Sequence, residues 1–196
     1  MNENINAIHA FWFGELDATG LCLTDHHALW FKSSEQTDDS CRSRFGELVT
    51  QALAGQLNRW TDTDDGLIAL LILLDQFPRN IYRGTPNAFA GDAQALALAQ
   101  QAIACKRHQR LPAIHRVFLY LPLEHTEDPT VQHACVDLFS ELARMVDSAQ
   151  FADFARYARA HQDVITAFGR FPHRNDILGR QSTPEETTYL EKHGGF

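Results

Sequence analysis

The sequence predicts an all-α protein, a single helical domain over residues 1–196 built from about eight helices with short connections. Three observations carry that expectation. Apolar residues recur at helical spacing almost throughout the chain. Alternating strand patterns bounded by turn residues are absent. Oxygen-bearing residues followed by Pro, which open helices, alternate with Pro and Gly signals that close them.

Taken in order, the first clear helix lies in "TDDSCRSRFGELVTQALAGQL", where Cys41, Phe45, Leu48, Val49, Ala52, Leu53 and Leu57 form one amphipathic stripe. The next, "DDGLIALLILLDQF", is apolar on nearly all sides, so it is expected to be central and buried, with Pro78 as its stop. Thr85-Pro86 opens another helix, and the apolar stretch "VFLYL" before Pro122 is read as the end of the one that follows. Asp128-Pro129 starts the next. The run "FADFARYARAHQDVITAF" is helical and closes at Gly169 to Pro172. Thr183-Pro184, with Glu186 at capping-box spacing, announces a short C-terminal helix.

Composition narrows the partners. Seventeen basic against twenty-five acidic side chains give a net charge of -8, which argues against nucleic acid or anionic membrane, since both need a basic face to displace counterions. The four cysteines show no C-x-x-C spacing. Cys41, Cys105 and Cys135 fall on helical stripes and read as reduced core residues. The N-terminal stretch lacks the pattern of a secretion signal, and the apolar run Leu67 to Leu74 is too short to span a bilayer. The expectation is a cytoplasmic protein.

Two segments are close echoes: "DQFPRNIYRG" from Asp75 and "GRFPHRNDILG" from Gly169. Their flanks align too loosely for an internal duplication. A helix end accounts for the Phe and Pro but not for the Arg and Asn. Asp75, directly after the apolar run, is placed at a helix C-terminus where negative charge is unfavourable, so it needs a partner such as Arg79, Asn80 or Arg83. An internal salt bridge is the plain alternative to a functional role. His161 shares an apolar stripe with Phe154, Tyr157, Ala158, Ile165 and Phe168, which fits a hydrogen-bonded core histidine as well as a catalyst. Arg170, His173, Arg174 and Asn175 then crowd a short loop. A third cluster, "LPLEHTED", offers Glu124 and His125 with no capping role, while Glu127 and Asp128 suit the cap of the following helix. His125, His161 and His173 lack any recognised metal-ligand spacing, and no nucleotide fingerprint or nucleophile elbow occurs, so neither metal nor cofactor is expected.

The segments "FWFGE", "LLDQFPRNIYRGT", "AFAGDAQALALA", "FLYLPLEHTED" and "FGRFPHRNDILGRQSTPEE", in this order and spacing, closely resemble a bacterial family catalogued as a domain of unknown function, number 924. The resemblance runs from Phe11 to the final Gly-Gly-Phe. It implies a compact helical fold similar to tetratricopeptide-repeat proteins, although the 34-residue repeat pattern itself is missing. It implies no activity. The family's polar motif positions fall on Asp75, Arg79, Asn80, Arg83, Glu124, His125, His161, Asp163, Arg170, His173, Arg174 and Asn175. Ala167 departs from the pattern, which often has arginine there.

These residues lead to one functional expectation and its rivals. The first is an enclosed polar site for a small anionic molecule, with Arg79, Arg170 and Arg174 as anion-binding forks and Asn80, Arg83, Glu124, His125 and Asn175 lining it. His161, His173 and Asp75 are then the acid–base candidates, and hydrolysis or group transfer the reaction classes. The alternatives are a helical module that binds a protein partner through aromatics such as Trp12, Phe13, Trp30, Phe31 and Trp60, or polar clusters that merely staple helices together.

Overall fold

Side-chain oxygens open five of the helices. The computed structural model describes residues 2–32 and 34–195. Asn2 caps α1 (Glu3–Trp12), and α2 (His27–Phe31) is a short turn of helix. Ser34 caps α3 (Glu35–Leu53), and Thr63 caps α4 (Asp64–Leu71). Next come α5 (Phe77–Ile81), α6 (Asp92–Ala104) and α7 (Ala113–Glu124). Asp128 caps α8 (Pro129–Val146), which precedes α9 (Ala149–Phe168). Thr183 caps α10 (Pro184–His193), with the reciprocal Glu186 bond of the expected capping box in place. No β-strand forms among the described residues, where Leu16 and Cys22 make an isolated antiparallel bridge. The protein is all-α, as the periodicity requires.

Two prolines behave differently from expectation. Pro78 does not stop its helix: α4 runs into a π-helical turn, Ile72–Gln76, and then directly into α5, with Pro78 in the first turn of the new segment. There the missing proline N–H costs little. The Leu74 carbonyl, four residues before Pro78, loses its regular α-helical donor, and Gly91 packs so close to that oxygen that a Cβ at 91 would overlap it. Pro122 likewise sits inside α7, two residues before its end.

Contacts gather the chain into two compact units, Met1–Arg83 with Asn87–Pro122, and Gly84–Pro86 with Leu123–Phe196. The first unit has an aromatic interior. Trp12 meets Phe77 edge-on at 5.4 Å and Phe118 at 5.8 Å, while Phe45 stacks on Phe77 at 4.9 Å. The Trp30 indole N–H donates to the Trp12 carbonyl at 2.8 Å. Leu67 to Leu74 are buried throughout, as their all-round apolar pattern demands. Trp12, Phe13 and Trp30 are therefore core, not groove, whereas Phe31 is exposed.

The second unit is organised around α8 and α9. The buried side chains of α8, namely Gln132, Cys135, Val136, Phe139 and Leu142, repeat at three and four and form one face. Phe151, Phe154, Ala158, His161, Val164 and Ile165 form the buried face of α9. Tyr157 does not belong to it: its side chain is exposed. Gly169 closes α9 in the left-handed conformation at φ 70°, and Phe171 then turns back into the core formed by Val164 and Ile165. Cys41 and Cys135 are buried free thiols, but Cys105 is exposed at the C-terminus of α6, where the stripe has run out. No helix among the described residues is long and apolar enough to cross a membrane.

Candidate functional site

The second echo builds a cluster about one aromatic ring. Phe171, fully buried, has the Arg174 guanidinium over its face at 4.5 Å, and the rings of His161 and His173 each lie 5.6 Å from it. His125 approaches His161 with ring centroids 6.5 Å apart, and its carbonyl accepts from Arg174 Nη1 at 2.9 Å. Glu124 Oε1 lies 3.3 Å from His161 Nδ1.

The His161 ring has an assignable tautomer. Its Nδ1 is 2.9 Å from the Tyr157 carbonyl, which can only accept, so Nδ1 carries the hydrogen and Nε2 keeps the lone pair. Burial drives the imidazole down to about 3; the Tyr157 bond opposes this, and the charges of His125, Arg174 and His173 reinforce it. The contact with Glu124 would be an ion pair only with a protonated ring. At neutral pH it is a long hydrogen-bond approach to a neutral one.

The backbone that carries Glu124 is itself held from behind. Gln132 Nε2 on α8 donates to the Glu124 carbonyl at 2.6 Å and to that of Thr126 at 2.8 Å, satisfying the carbonyl end of α7. Cys135 lies within Glu124's field, and its thiol is pushed well up, by burial first and by that carboxylate second. It is inert as a nucleophile.

An outer ring of ion pairs fixes the loop. Arg170 grips Glu186 with two bonds, 2.7 and 2.9 Å, and Asn175 Nδ2 adds a 3.1 Å bond to the same carboxylate. The Arg170 pairing above all holds the Glu186 carboxyl down to about 2. Arg180 grips Glu127 at 2.7 and 3.0 Å, and the Phe171 N–H donates to Glu127 at 2.8 Å. Burial raises the Glu127 carboxyl, but Arg180 and that amide outweigh it and hold it below its ordinary value.

The first echo is a different construction. Arg79 donates to the Asp75 carbonyl at 2.6 Å, lies 3.1 Å from the Asp75 carboxylate, and meets Asp92 with two bonds at 3.0 and 3.2 Å. Gln76 donates to the other Asp75 oxygen. Asn80 and Arg83 both reach Asp38 on α3, Asn80 at 2.9 Å and Arg83 at 2.7 and 2.8 Å. The Arg83 guanidinium above all lowers the Asp38 carboxyl.

The chain matches, over residues 8–194, the family described as "Bacterial protein of unknown function (DUF924)". It belongs to that family. A solved structure, "Structure of Protein of Unknown Function ATU0120 from Agrobacterium tumefaciens", is similar at 38% identity and TM-score 0.75, covering 83% of this chain and 88% of the other. Comparison with curated proteins gives no match.

For this DUF924 chain the candidates fall into two sets. Within the second unit, Glu124, His125, His161, His173 and Arg174 share the neighbourhood of Phe171, while Arg170 and Asn175 are drawn to Glu186. Within the first, Asp75, Arg79, Asn80 and Arg83 join acidic partners. Asp75 sits in the π turn, not at a helix C-terminus. Sequence reasoning missed Asp38, Asp92 and Arg180 and took Glu127 for a cap. Only Asp128 caps α8; Glu127 is a loop clamp. Among the described residues no group of three or more His, Cys, Asp or Glu is placed to hold a metal ion.

Proposed function

We propose that the second unit of this protein binds a small anionic metabolite through Arg174 and the histidines around Phe171, with His161 Nε2 as proton acceptor in hydrolysis or group transfer. One observation carries the reading: an arginine and two histidines, His161 and His173, converge on a single buried ring with His125 beside His161, and His161 and His173 are driven neutral by burial and then by that shared positive field. An anion seated there relieves the field. It also raises the basicity of His161 toward the working pH, where general base catalysis is most effective. Glu124 and Tyr157 hold the catalytic tautomer.

The staple reading suits the first echo, where each guanidinium meets a carboxylate, and it suits Arg170 on Glu186. We place the protein in the cytoplasm, with no nucleic acid or membrane partner. Protein binding of the tetratricopeptide kind stays secondary, because most aromatics that would line a groove are core.

The test is calorimetric titration of the intact protein with sulfate, phosphate and small carboxylates at fixed ionic strength. Binding of at least one, lost in Arg174→Met and kept in Arg83→Ala, is the expected result. An Arg174→Met protein that stays folded and binds as tightly as the parent would overturn the reading.

A further inference from the structure

Resting on that anion-site reading, we propose that the site takes up its oxyanion together with one proton, which His173 receives, and that the C-terminal Gly194–Gly195 segment holds this imidazole in register. His173 stands between a fixed positive charge and solvent. Arg174 adjoins it on the same turn and shares the Phe171 ring. His125 comes from the segment after α7 and His161 from α9. Glu127 and Arg180, bonded to each other, also face it, and Glu127 opposes Arg174 there while His125 and Arg180 add to it.

Burial first and Arg174 second hold the His173 ring down to about 4, with Glu127 opposing them. Once an oxyanion lies beside the guanidinium, that repulsion is replaced by attraction, and the ring charges. His161 is the poorer acceptor of this proton because it is the more deeply buried of the two rings. His173 is only half-buried.

The tail supplies the register. Gly194 ends α10 at φ 71°, and Gly195 passes so close to His173 that a Cβ there would fall 2.7 Å from the histidine Cβ and 3.0 Å from Cγ. Any larger residue at 195 displaces either the tail or the ring. The backbone of the tail therefore acts as one wall of the His173 pocket, and the stacking of Tyr189 on His193 at 4.8 Å anchors the end of α10 just before it.

The signs follow from linkage. If the complex binds one proton more than the free protein, the anion binds more tightly as pH falls, by up to about tenfold per pH unit between the bound and free values of His173. Sulfate is the probe, since its own charge is constant across this range. Calorimetry near pH 6 in two buffers of different ionisation enthalpy should report uptake of about one proton per sulfate. His173→Asn should abolish the uptake and flatten the pH dependence of sulfate binding. Gly195→Val should weaken the coupling. In the parent protein, sulfate should move the His173 imidazole resonance toward the protonated position, a measurement independent of any variant's folding. Sulfate binding without proton uptake, or with uptake unchanged in His173→Asn, overturns this inference and leaves the anion site standing. No binding of sulfate, phosphate or carboxylate at any pH overturns the anion site itself.

Discussion

Phe77-Pro78-Arg79-Asn80 and Phe171-Pro172-His173-Arg174-Asn175 read almost alike, yet they are built on different backbones and answer to different charges. In the first, Phe-Pro continues a helix out of a π turn. In the second, it follows a left-handed glycine and opens a 3-10 turn. Both phenylalanines are fully buried, so the shared letters encode an anchor. What the donors do depends on what is nearby. Arg79 and Arg83 find carboxylates, whereas Arg174 lies on an aromatic face with a carbonyl at one nitrogen and histidines about it. A repeated motif fixes where a side chain starts from, and the groups around it decide what it meets.

The sharpest way to break this comparison is to remove one arginine from each side. Arg79→Met leaves the Asp75 carboxylate, 1% exposed, without its cation, and should cost about 3–5 kcal/mol in denaturant unfolding. Arg174→Met should cost clearly less and should abolish anion binding. Equal losses in both variants, with anion binding intact in Arg174→Met, would make the two echoes the same kind of brace.

Acid sharpens it next. His161 has a folded value of about 3 against 6.5 in the unfolded chain, so the unfolded state binds more protons in between, and stability falls as pH drops through that window. His161→Gln should recover roughly 3 kcal/mol at about pH 4 relative to the parent, with little change at neutral pH. His115 in the first unit, also pushed down to about 3 by burial and then by His9, makes the parallel case, and His115→Phe should resist acid as well. A parent protein whose stability is flat from neutral pH to about pH 4 would refute both assignments.

Smaller effects test the frame. Gly91→Ala forces a Cβ onto the Leu74 carbonyl and should cost about 1–3 kcal/mol by thermal unfolding, through displacement of α6 from the π turn. Arg83→Ala removes a pair whose guanidinium is 44% exposed, and its cost should stay within about 1 kcal/mol. A larger loss at Arg83 than at Arg79 would reverse the order of importance within the first echo.

Much of the frame was legible in the residues. The helical period, the buried run Leu67 to Leu74, the starts at Asp128 and Thr183 and the Glu186 capping box all depend on neighbours within a turn or two, and local chemistry decides them. Pro78 misled because a π turn upstream and Gly91 opposite let the helix accommodate it, and Gly91 is distant in sequence. Asp38, Asp92 and Arg180 stayed hidden for the same reason: nothing in the letters says which carboxylate will meet which guanidinium across tens of residues. His161 was found from its apolar stripe. Its tautomer was not, because that depends on a carbonyl one turn back and on a carboxylate from another helix.

The π turn at Ile72–Gln76 sets an angular phase. Each residue of a helix advances the direction of its side chain by about 100°, so a wide turn that absorbs one extra residue rotates everything beyond it relative to everything before it. Before the turn, Leu67 to Leu71 point into an apolar interior; beyond it, Asn80 and Arg83 point together at Asp38. Deleting a single residue from the turn would leave a chain of almost identical composition and helicity in which those donors are swung about 100° away from their acceptor. The first echo's alignment is therefore a property of residue count as much as of residue identity, and an alignment that tolerates a one-residue gap at 72–76 would pair positions that do not point the same way.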